Sequence, residues 1–249
     1  MRIYHQENGG KHRAINKAVP LAKGDYFFIV DSDDQLMTDA VEKVYAWCED
    51  LEQDPHFKEF LGVSGLRIQH NGIIMGGEGD GREIIDASTF EREKYNLGGD
   101  KAEVVRTSIL KQFPFPEFPG ENFLSEGVVW TQMAAAGYKI RWHCEPIYIS
   151  DYLPGGLTDS LQKNQLKNFE GYTLQTQLEL RFQPKFKYRM AAIAKWAEIA
   201  EKKGLTPREA VSKLSMPVWS YFLSIFVFQN WVTVIKPLIK YIKSSKNDL

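Results

Sequence analysis

The sequence predicts an α/β fold in which a mixed sheet flanked by helices is followed by a helical C-terminal extension. Strand and helix patterns alternate up to about residue 156. Beyond it, helical periodicity dominates to residue 249 without further strand signals. We therefore expect an α/β domain over residues 1–156 and a helical extension over residues 157–249.

The composition is that of a globular protein, with 249 residues, 43% hydrophobic and 25% charged. The 31 Lys and Arg residues balance 32 Asp and Glu residues, so the basic excess typical of nucleic-acid binders is missing and we expect no nucleic-acid partner. Cys48 and Cys144 lie far apart, which favours thiols in a reducing compartment over a disulfide or a zinc site. Residues 1–15 are polar and charged, so we expect no signal peptide and a cytoplasmic location.

The first elements are predicted from apolar spacing. Residues 11–23 predict a helix with Gly24 as its C-cap. Residues 25–30 form an apolar run typical of a strand buried on both faces in a parallel sheet. Thr38 is expected to cap a helix that runs to about Asp50. The predicted buried stripe of this helix consists of Val41, Val44, Tyr45 and Cys48.

The later elements alternate in the same way. Residues 76–81 are glycine-rich but contain two acidic residues and no lysine, which favours a surface loop over a phosphate-binding loop. Ser125 is expected to cap a helix that runs to Ala136 and is ended by Gly137. The remaining predictions are a strand at 60–69, a hairpin turn at 70–72 leading to 73–75, and strands at 102–107, 138–144 and 146–152.

Three carboxylates follow the apolar run in the segment Asp31-Ser32-Asp33-Asp34. In open α/β sheets, ligands bind at the carboxyl ends of strands. Close carboxylates repel one another, and a divalent cation such as Mg²⁺ or Mn²⁺ removes that cost while bridging to substrate phosphates. The alternative is an acidic loop that satisfies backbone donors and caps the next helix.

A glycine turn precedes the first predicted helix. Asn8-Gly9-Gly10 allows close approach of the backbone to a ligand, and Lys11, His12 and Arg13 follow at the helix N-terminus, where free N–H groups attract phosphate. The alternative is a solvated basic turn. A basic turn and an acidic turn on neighbouring βα units together predict a diphosphate site.

These segments resemble family-2 glycosyltransferases, whose fold is the Rossmann-like GT-A fold. The resemblance rests on three stretches in order, Glu7–Asn16, Ala22-Lys23-Gly24 and Phe28–Leu36. They match Asn-x-Gly-x-x-x-Ala-x-Asn, Ala-x-Gly and an apolar strand ending in Asp-x-Asp-Asp. The resemblance implies a hexosyltransferase that uses a nucleotide-sugar donor and a divalent cation, and that inverts the anomeric carbon.

The resemblance also implies roles for individual residues. Asp31 would face the nucleotide, and Asp31 with Asp33 would hold the Mn²⁺ or Mg²⁺ ion and the diphosphate, while Asp34 could assist either. Asn8, Gly10 and Lys11 would approach the nucleotide. The implied acceptor is a glycan or a lipid-linked glycan of bacterial polysaccharide assembly.

The candidate base follows from the same resemblance. The family places a carboxylate at the start of a helix, often in a Glu-Asp pair, and Glu126 stands at the matching position. Gly127 replaces the Asp of the pair, so the alternatives are that Glu126 only complements the helix dipole or that Glu121 is the base. The family often carries His or Arg near residue 150, where this sequence has Asp151 and Tyr152.

The resemblance further implies a partial GT-A domain that lacks the opening nucleotide-binding strands, because the sequence enters the family pattern near its third or fourth strand. An unpaired sheet edge would result, and we expect a homodimer through it. The alternative function is therefore a non-catalytic module for binding or assembly. A more distant alternative is a phosphotransferase or nucleotidyltransferase that uses the same acidic turn.

Residues 216–235 contain no charged residue and are followed by Lys236, Lys240, Lys243 and Lys246. Three interpretations remain open: burial against the domain or a partner, a helix lying in the membrane interface, and a membrane span. Lysines beside an aromatic-rich apolar helix suit anionic lipid, which predicts peripheral contact with the inner face of the cell membrane.

Overall fold

In the computed structural model of the protein, the described residues are 3–151 and 161–230. They form two units. The first contains residues 3–117 and 122–151, and the second contains residues 118–121 and 161–230. The predicted domain boundary at residue 156 lies outside the described residues.

The first unit contains helices and strands in alternation, as predicted. Its elements are α1 (Lys11–Ala18), β1 (Tyr26–Phe28), β2 (Gln35–Leu36), α2 (Ala40–Glu52), β3 (Phe60–Ile68), β4 (Ile84–Ala87), β5 (Lys101–Arg106), α3 (Thr107–Leu110), α4 (Gly127–Ala135) and β6 (Lys139–Ile149). Short 3-10 turns lie at Val19–Leu21, Phe57–Glu59 and Thr89–Tyr95.

The strands form a mixed sheet in the order β1-β5-β3-β6-β2, with β4 also paired to β6. β3 and β6 are parallel, whereas β1 and β3 both pair antiparallel with β5. β1, β3 and β6 therefore run in the same direction, and their carboxyl ends lie at one edge of the sheet. The mixed α/β fold is confirmed, but the position predicted for residues 25–30 is wrong, because β1 is half-buried and pairs antiparallel.

Helix α2 packs on one face of the sheet. Its buried residues are Ala40, Trp47, Cys48 and Leu51, whereas Val41 and Tyr45 are 68% and 64% exposed. The predicted stripe is therefore wrong at those two positions, although Cys48 is buried. The predicted and the observed buried residues both recur at helical spacing. Which of the two sets is buried depends on how the helix packs against the sheet. Asp39 rather than Thr38 is the N-cap.

Other element boundaries also differ from the predictions. The first helix ends at Ala18 and continues as a 3-10 turn over Val19–Leu21, because Pro20 cannot donate a helical hydrogen bond. Gly24 is therefore not its C-cap. The two strands predicted around residue 145 are one strand, β6, in which a register shift against β3 accommodates Pro146. Strand β4 was not predicted.

Arg141 on β6 connects three elements. Its guanidinium donates to Asp86 of β4 at 2.9 Å, to Asp50 of α2 at 3.2 Å and to Asp54 just after α2 at 2.5 Å. The neighbouring inward residue on that face, His143, stacks on Trp47 with ring centroids 4.0 Å apart. Both cysteines are free, with Cys48 buried and Cys144 half-buried, as the thiol interpretation predicted.

The second unit is helical over the part of it that the structure describes. Its helices are α5 (Leu161–Lys167), α6 (Phe169–Phe182), α7 (Phe186–Lys202), α8 (Pro207–Leu214) and α9 (Val218–Asn230). Phe169 stacks on the fully buried Trp196, whose indole N–H donates to the Thr173 hydroxyl at 3.0 Å. These contacts form the core of the unit.

Glu121 belongs to this second unit. Its carboxylate accepts the backbone N–H groups of Glu170 and Gly171 at 2.7 and 2.9 Å. Those groups lie in the first turn of α6, where helical N–H groups lack partners within the helix. Glu121, the reserve candidate for the base, therefore caps α6 from a distant part of the sequence.

Within residues 3–151 and 161–230, no single helix is long and apolar enough to cross a bilayer. Helices α8 and α9 meet the length and composition requirements only as a pair, and they are bent by 102° at their junction. Of the predicted apolar segment, residues 216–230 are described, whereas residues 231–235 and the four following lysines lie outside the described part.

Candidate functional site

The acidic segment runs along the edge of the sheet where β1, β3 and β6 end. It leaves β1 at one end of the sheet and enters β2 on the far side of β6. Tyr148 of β6 fixes this crossing, because its hydroxyl accepts the Asp31 N–H at 2.9 Å and donates to Asp34 Oδ2 at 2.8 Å. The acidic segment therefore has a defined position at this edge.

The Asp34 side chain helps to hold the acidic segment in place through contacts with two residues. Besides the Tyr148 hydroxyl, its Oδ2 lies 3.7 Å from the Arg67 guanidinium, which stacks over the Tyr148 ring at 4.1 Å. Burial raises the pKa of Asp34, and the Tyr148 hydrogen bond and the Arg67 charge oppose that rise only in part. Burial also raises the pKa of Tyr148. Asp34 thus stabilises the segment from its inner side.

The glycine turn before α1 approaches another backbone closely. Gly10 has φ of 94°, and a Cβ at this position would lie 1.9 Å from the Asn122 carbonyl oxygen. The Asn8 side chain accepts the Gly10 N–H at 3.2 Å, and Arg13 donates to the Gly9 carbonyl at 2.6 Å. Close approach of the backbone at this turn was predicted for a ligand, and in the structure the turn packs closely against the backbone of residue 122.

Lys11 brings three of the predicted site residues together. Its ammonium lies 2.6 Å from Asp31 Oδ1 and 2.6 Å from Glu126 Oε1. The side chains of Lys11, Asp31 and Glu126 are 38%, 30% and 24% exposed, so the cluster is open to solvent on one side. Burial lowers the pKa of Lys11, but Glu126 and Asp31 outweigh burial through charge and hydrogen bonding, and the pKa is raised. Lys11 therefore stays charged at neutral pH.

The N-cap of α4 is Glu126 and not the predicted Ser125, so Glu126 precedes the first turn of the helix instead of lying in it. The Ser125 hydroxyl accepts the Gly127 N–H at 3.2 Å, which leaves the Glu126 carboxylate directed to Lys11. The charge of Glu126 affects the pKa of a second carboxyl group, that of Glu103 on β5. Burial raises the pKa of Glu103, Arg92 and Arg67 lower it, and Glu126 raises it.

Asp33 is exposed and does not join the Lys11 cluster. Among the residues that the structure describes, its carboxylate has no hydrogen-bond or ion-pair partner. Within the same residues, no group of three or more His, Cys, Asp or Glu side chains has an arrangement that could hold a metal ion by itself. An unengaged carboxylate beside Asp31 fits a hard divalent cation that completes its shell with water and phosphate oxygens.

The carboxyl ends of β3 and β6 carry a further polar pair. The Asp151 carboxylate contacts the His70 ring nitrogen Nδ1 at 2.6 Å and accepts the His70 backbone N–H at 3.2 Å. These hydrogen bonds lower the pKa of Asp151. Tyr152, its neighbour in the sequence, lies outside the described residues.

Sequence reasoning missed Tyr148, Arg67 and Glu103. Tyr148 and Arg67 sit in apolar strand segments, where tyrosine is usual and a single arginine carries no distinctive pattern. Glu103 offered a weak signal, because a carboxylate lies between the apolar residues Ala102 and Val104 of a strand. Only the pairing of β3 with β6 brings Arg67 and Tyr148 to the acidic segment, and only the folded sheet brings Glu103 within electrostatic range of Glu126.

A mixed α/β sheet with charged residues gathered at the carboxyl ends of its strands defines a class of ligand-binding α/β proteins. Within that class, the resemblance to family-2 glycosyltransferases is confirmed. Residues 1–56 match the family described as Glycosyl transferase family 2. A stretch of 55 residues is 40% identical to "Glycosyltransferase GlyG" of Streptococcus pneumoniae serotype 4 (strain ATCC BAA-334 / TIGR4), over 22% of this chain and 18% of that protein.

Solved structures extend the similarity beyond the first 56 residues. The structure of S. aureus TarS 1–349 in complex with UDP-GlcNAc is similar over 81% of this chain and 56% of that one, with a TM-score of 0.52 and 17% identity. The complex of the same protein with UDP gives a TM-score of 0.51 and 15% identity over 85% and 61%. These similarities show the GT-A fold. The chain spans less than two thirds of the length of each of these relatives.

Proposed function

We propose that the protein is a glycosyltransferase that moves a sugar from a nucleotide-sugar donor to a hydroxyl of a glycan or lipid-linked acceptor. The observation that carries the proposal is the Lys11 cluster, which joins the predicted donor residue Asp31 to the predicted base Glu126. A cation between two carboxylates at the ligand-binding edge of the sheet suits a reaction in which a diphosphate leaves and a proton is removed.

The donor diphosphate is bound at the N-terminus of α1. Lys11 supplies a positive charge, and the positive end of the α1 helix dipole attracts phosphate oxygens. Asn8 and Gly10 hold the turn in place beside it. Asp31 orients the Lys11 ammonium and faces the nucleotide.

Glu126 acts as the base in a single displacement. It accepts the proton of the acceptor hydroxyl while the acceptor oxygen attacks the anomeric carbon from the side opposite the leaving diphosphate, so the configuration is inverted. Its 24% exposure leaves room for an acceptor to approach.

Asp33, together with Asp31, would hold a Mn²⁺ or Mg²⁺ ion. Such an ion neutralises charge that builds up on the leaving diphosphate. Asp33 has an unengaged carboxylate among the described residues, and the ion pair with Lys11 holds the Asp31 side chain in position beside it.

The proposed setting is bacterial polysaccharide assembly at the cytoplasmic face of the membrane. Peripheral contact through the C-terminal helices would bring the site to lipid-linked acceptors. The exposed apolar side of α9 supports this contact.

Donor binding and transfer can be tested separately. We expect one or more members of a panel of UDP- and GDP-sugars to raise the Tm of the protein in the presence of Mn²⁺. Asp33→Asn should remove the effect of Mn²⁺, whereas Glu126→Gln should keep the donor-induced shift and lose at least 100-fold in transfer or donor hydrolysis.

The matched controls are Asp100→Asn and Glu49→Gln, which should behave like the unmodified protein. A donor-induced shift without turnover in any condition, unchanged by Glu126→Gln, would instead support the non-catalytic module. Turnover of nucleoside triphosphates but not of nucleotide sugars would support the phosphotransferase or nucleotidyltransferase alternative.

A further inference from the structure

Helix α9 presents its apolar side outward. Its exposed apolar residues recur at helical spacing, and Trp219 and Phe226 are 69% and 65% exposed. By contrast, Tyr221 and Ser224 are buried, and the Ser220 and Ser224 hydroxyls are satisfied by carbonyls of the same segment. The full outward set is Val218, Trp219, Phe222, Leu223, Phe226 and Val227. A helix on a water-exposed surface normally buries its apolar side chains and exposes its polar ones, whereas α9 exposes apolar side chains.

A groove of about 570 Å³ lies beside this helix, within the second unit. Side chains of α6, α7 and α9 line it, and two of them, Arg181 and Arg189, are cationic while none is acidic. The Arg189 Nε is buried and has no hydrogen-bond partner among the residues that the structure describes. Phe186 also lines the groove and is 60% exposed. An unpaired buried N–H in an apolar groove is costly unless an anion accepts from it.

The groove lies in a strongly basic part of the chain. Residues 181–189 contain two arginines and two lysines but no acidic residue, and three of the remaining five are aromatic. Within the described residues, the Arg181 and Arg189 guanidinium groups have no ion-pair or hydrogen-bond partner and lie over the rings of Phe182 and Phe186. Cations and aromatic rings beside an outward apolar helix are the combination that binds the interface of an anionic bilayer.

We infer that α9 and the groove beside it form a binding surface for an anionic phospholipid bilayer. The guanidinium groups of Arg181 and Arg189 bind the lipid phosphate at the groove. The outward aromatic side chains of α9 lie at the level of the acyl-chain boundary. This inference deepens the membrane contact in the proposed function, and it rests on that function for its purpose.

Vesicle binding tests the surface directly. We expect the protein to float with vesicles of phosphatidylcholine containing 30% phosphatidylglycerol and to bind vesicles of phosphatidylcholine alone much more weakly. Arg181→Gln and Arg189→Gln should each reduce partitioning about fivefold. Trp219→Ser and Phe226→Ser should also reduce it, and high salt should weaken the arginine-dependent part.

Matched controls separate this surface from general charge and hydrophobicity. Arg208→Gln on α8 and Tyr45→Ser on α2 remove an exposed arginine and an exposed aromatic ring elsewhere, and partitioning should be unchanged. The inference is overturned if the folded protein does not bind anionic vesicles. It is also overturned if the α9 variants lower Tm rather than partitioning, since these side chains would then stabilise the fold instead of binding vesicles.

Vesicle binding is expected to be independent of donor binding and transfer at the Lys11 cluster. Asp31→Asn should abolish the donor-induced Tm shift and leave vesicle binding intact. Vesicle binding without any donor-induced Tm shift or turnover would contradict the proposed transferase function and support the membrane-binding surface. A donor effect without vesicle binding would support the transferase function and contradict the membrane-binding surface.

Discussion

At the scale of single residues, the site depends on side chains that join different parts of the chain. Lys11 contacts both Asp31 and Glu126, and Tyr148 joins Asp31 to Asp34. Neither junction follows from sequence spacing. The resemblance gave the identity of Lys11, Asp31 and Glu126, but only the folded sheet shows that one ammonium contacts both carboxylates.

Gly10 is the residue at which a single methyl group should cost most. Gly10→Ala places a Cβ against the Asn122 carbonyl in a backbone conformation of φ 94°. We expect the free energy of unfolding to fall by about 2–4 kcal/mol in denaturant titrations. Gly72→Ala is the control, because its φ is 84° and nothing lies within 4 Å of the added Cβ. Its cost should be about 1 kcal/mol, and equal losses for the two variants would contradict the close-approach explanation.

At the scale of elements, the sequence predicted more of the sheet than of the helix faces. β3 and β5 were predicted within one residue at each end, because apolar and β-branched residues are concentrated in both segments and polar residues flank them. β4 was missed because its four residues alternate between exposed and buried, too briefly to be recognised. The buried side of α2 could not be predicted, because it depends on the contact of the helix with β3 and β6 and not on the helix sequence alone.

His143 on β6 makes stability depend on pH. Burial lowers the pKa of its imidazole from 6.5 to about 4, with Arg141 acting in the same direction. The unfolded chain therefore binds a proton between pH 6.5 and 4 that the folded protein does not. The contribution of the neutral His143 side chain to the free energy of unfolding is therefore fully present above pH 6.5. It is lost as the pH falls to 4, and the loss amounts to at most about 3 kcal/mol.

His143→Phe should preserve the stack on Trp47 and flatten this part of the pH profile. The measurement is the free energy of unfolding at several values between pH 4 and pH 7.5. His5→Phe, at an exposed position, should leave the profile unchanged. An unchanged slope in His143→Phe would show that other groups cause the acid sensitivity.

At the scale of the whole molecule, the sequence predicted a change from α/β to helical structure near residue 156. It did not predict that residues 118–121 belong with the helical unit. Local sequence patterns carry no information on such a long-range assignment, of which the hydrogen bonds from the Glu170 and Gly171 N–H groups to Glu121 are one part. The homodimer stays a prediction.

Glu121→Gln should therefore affect stability and not chemistry. A neutral amide accepts the two α6 N–H groups less strongly than a carboxylate, so we expect a loss of about 1 kcal/mol in unfolding free energy. Donor-induced stabilisation at the Lys11 cluster should persist. Glu117→Gln, which weakens an ion pair with Arg13 in the first unit, is the matched control. Loss of turnover with unchanged stability would instead restore Glu121 as the base.

The shared ammonium of Lys11 has a consequence for the order of events in the proposed reaction. A diphosphate that draws Lys11 towards itself also releases the Glu126 carboxylate from its ion pair, so that the carboxylate oxygen becomes free to accept the proton of the acceptor hydroxyl. Binding of the donor would thus change the environment of Glu126, the group that activates the acceptor hydroxyl. Steady-state kinetics should accordingly be sequential and ordered, with the nucleotide sugar binding first and the nucleoside diphosphate leaving last.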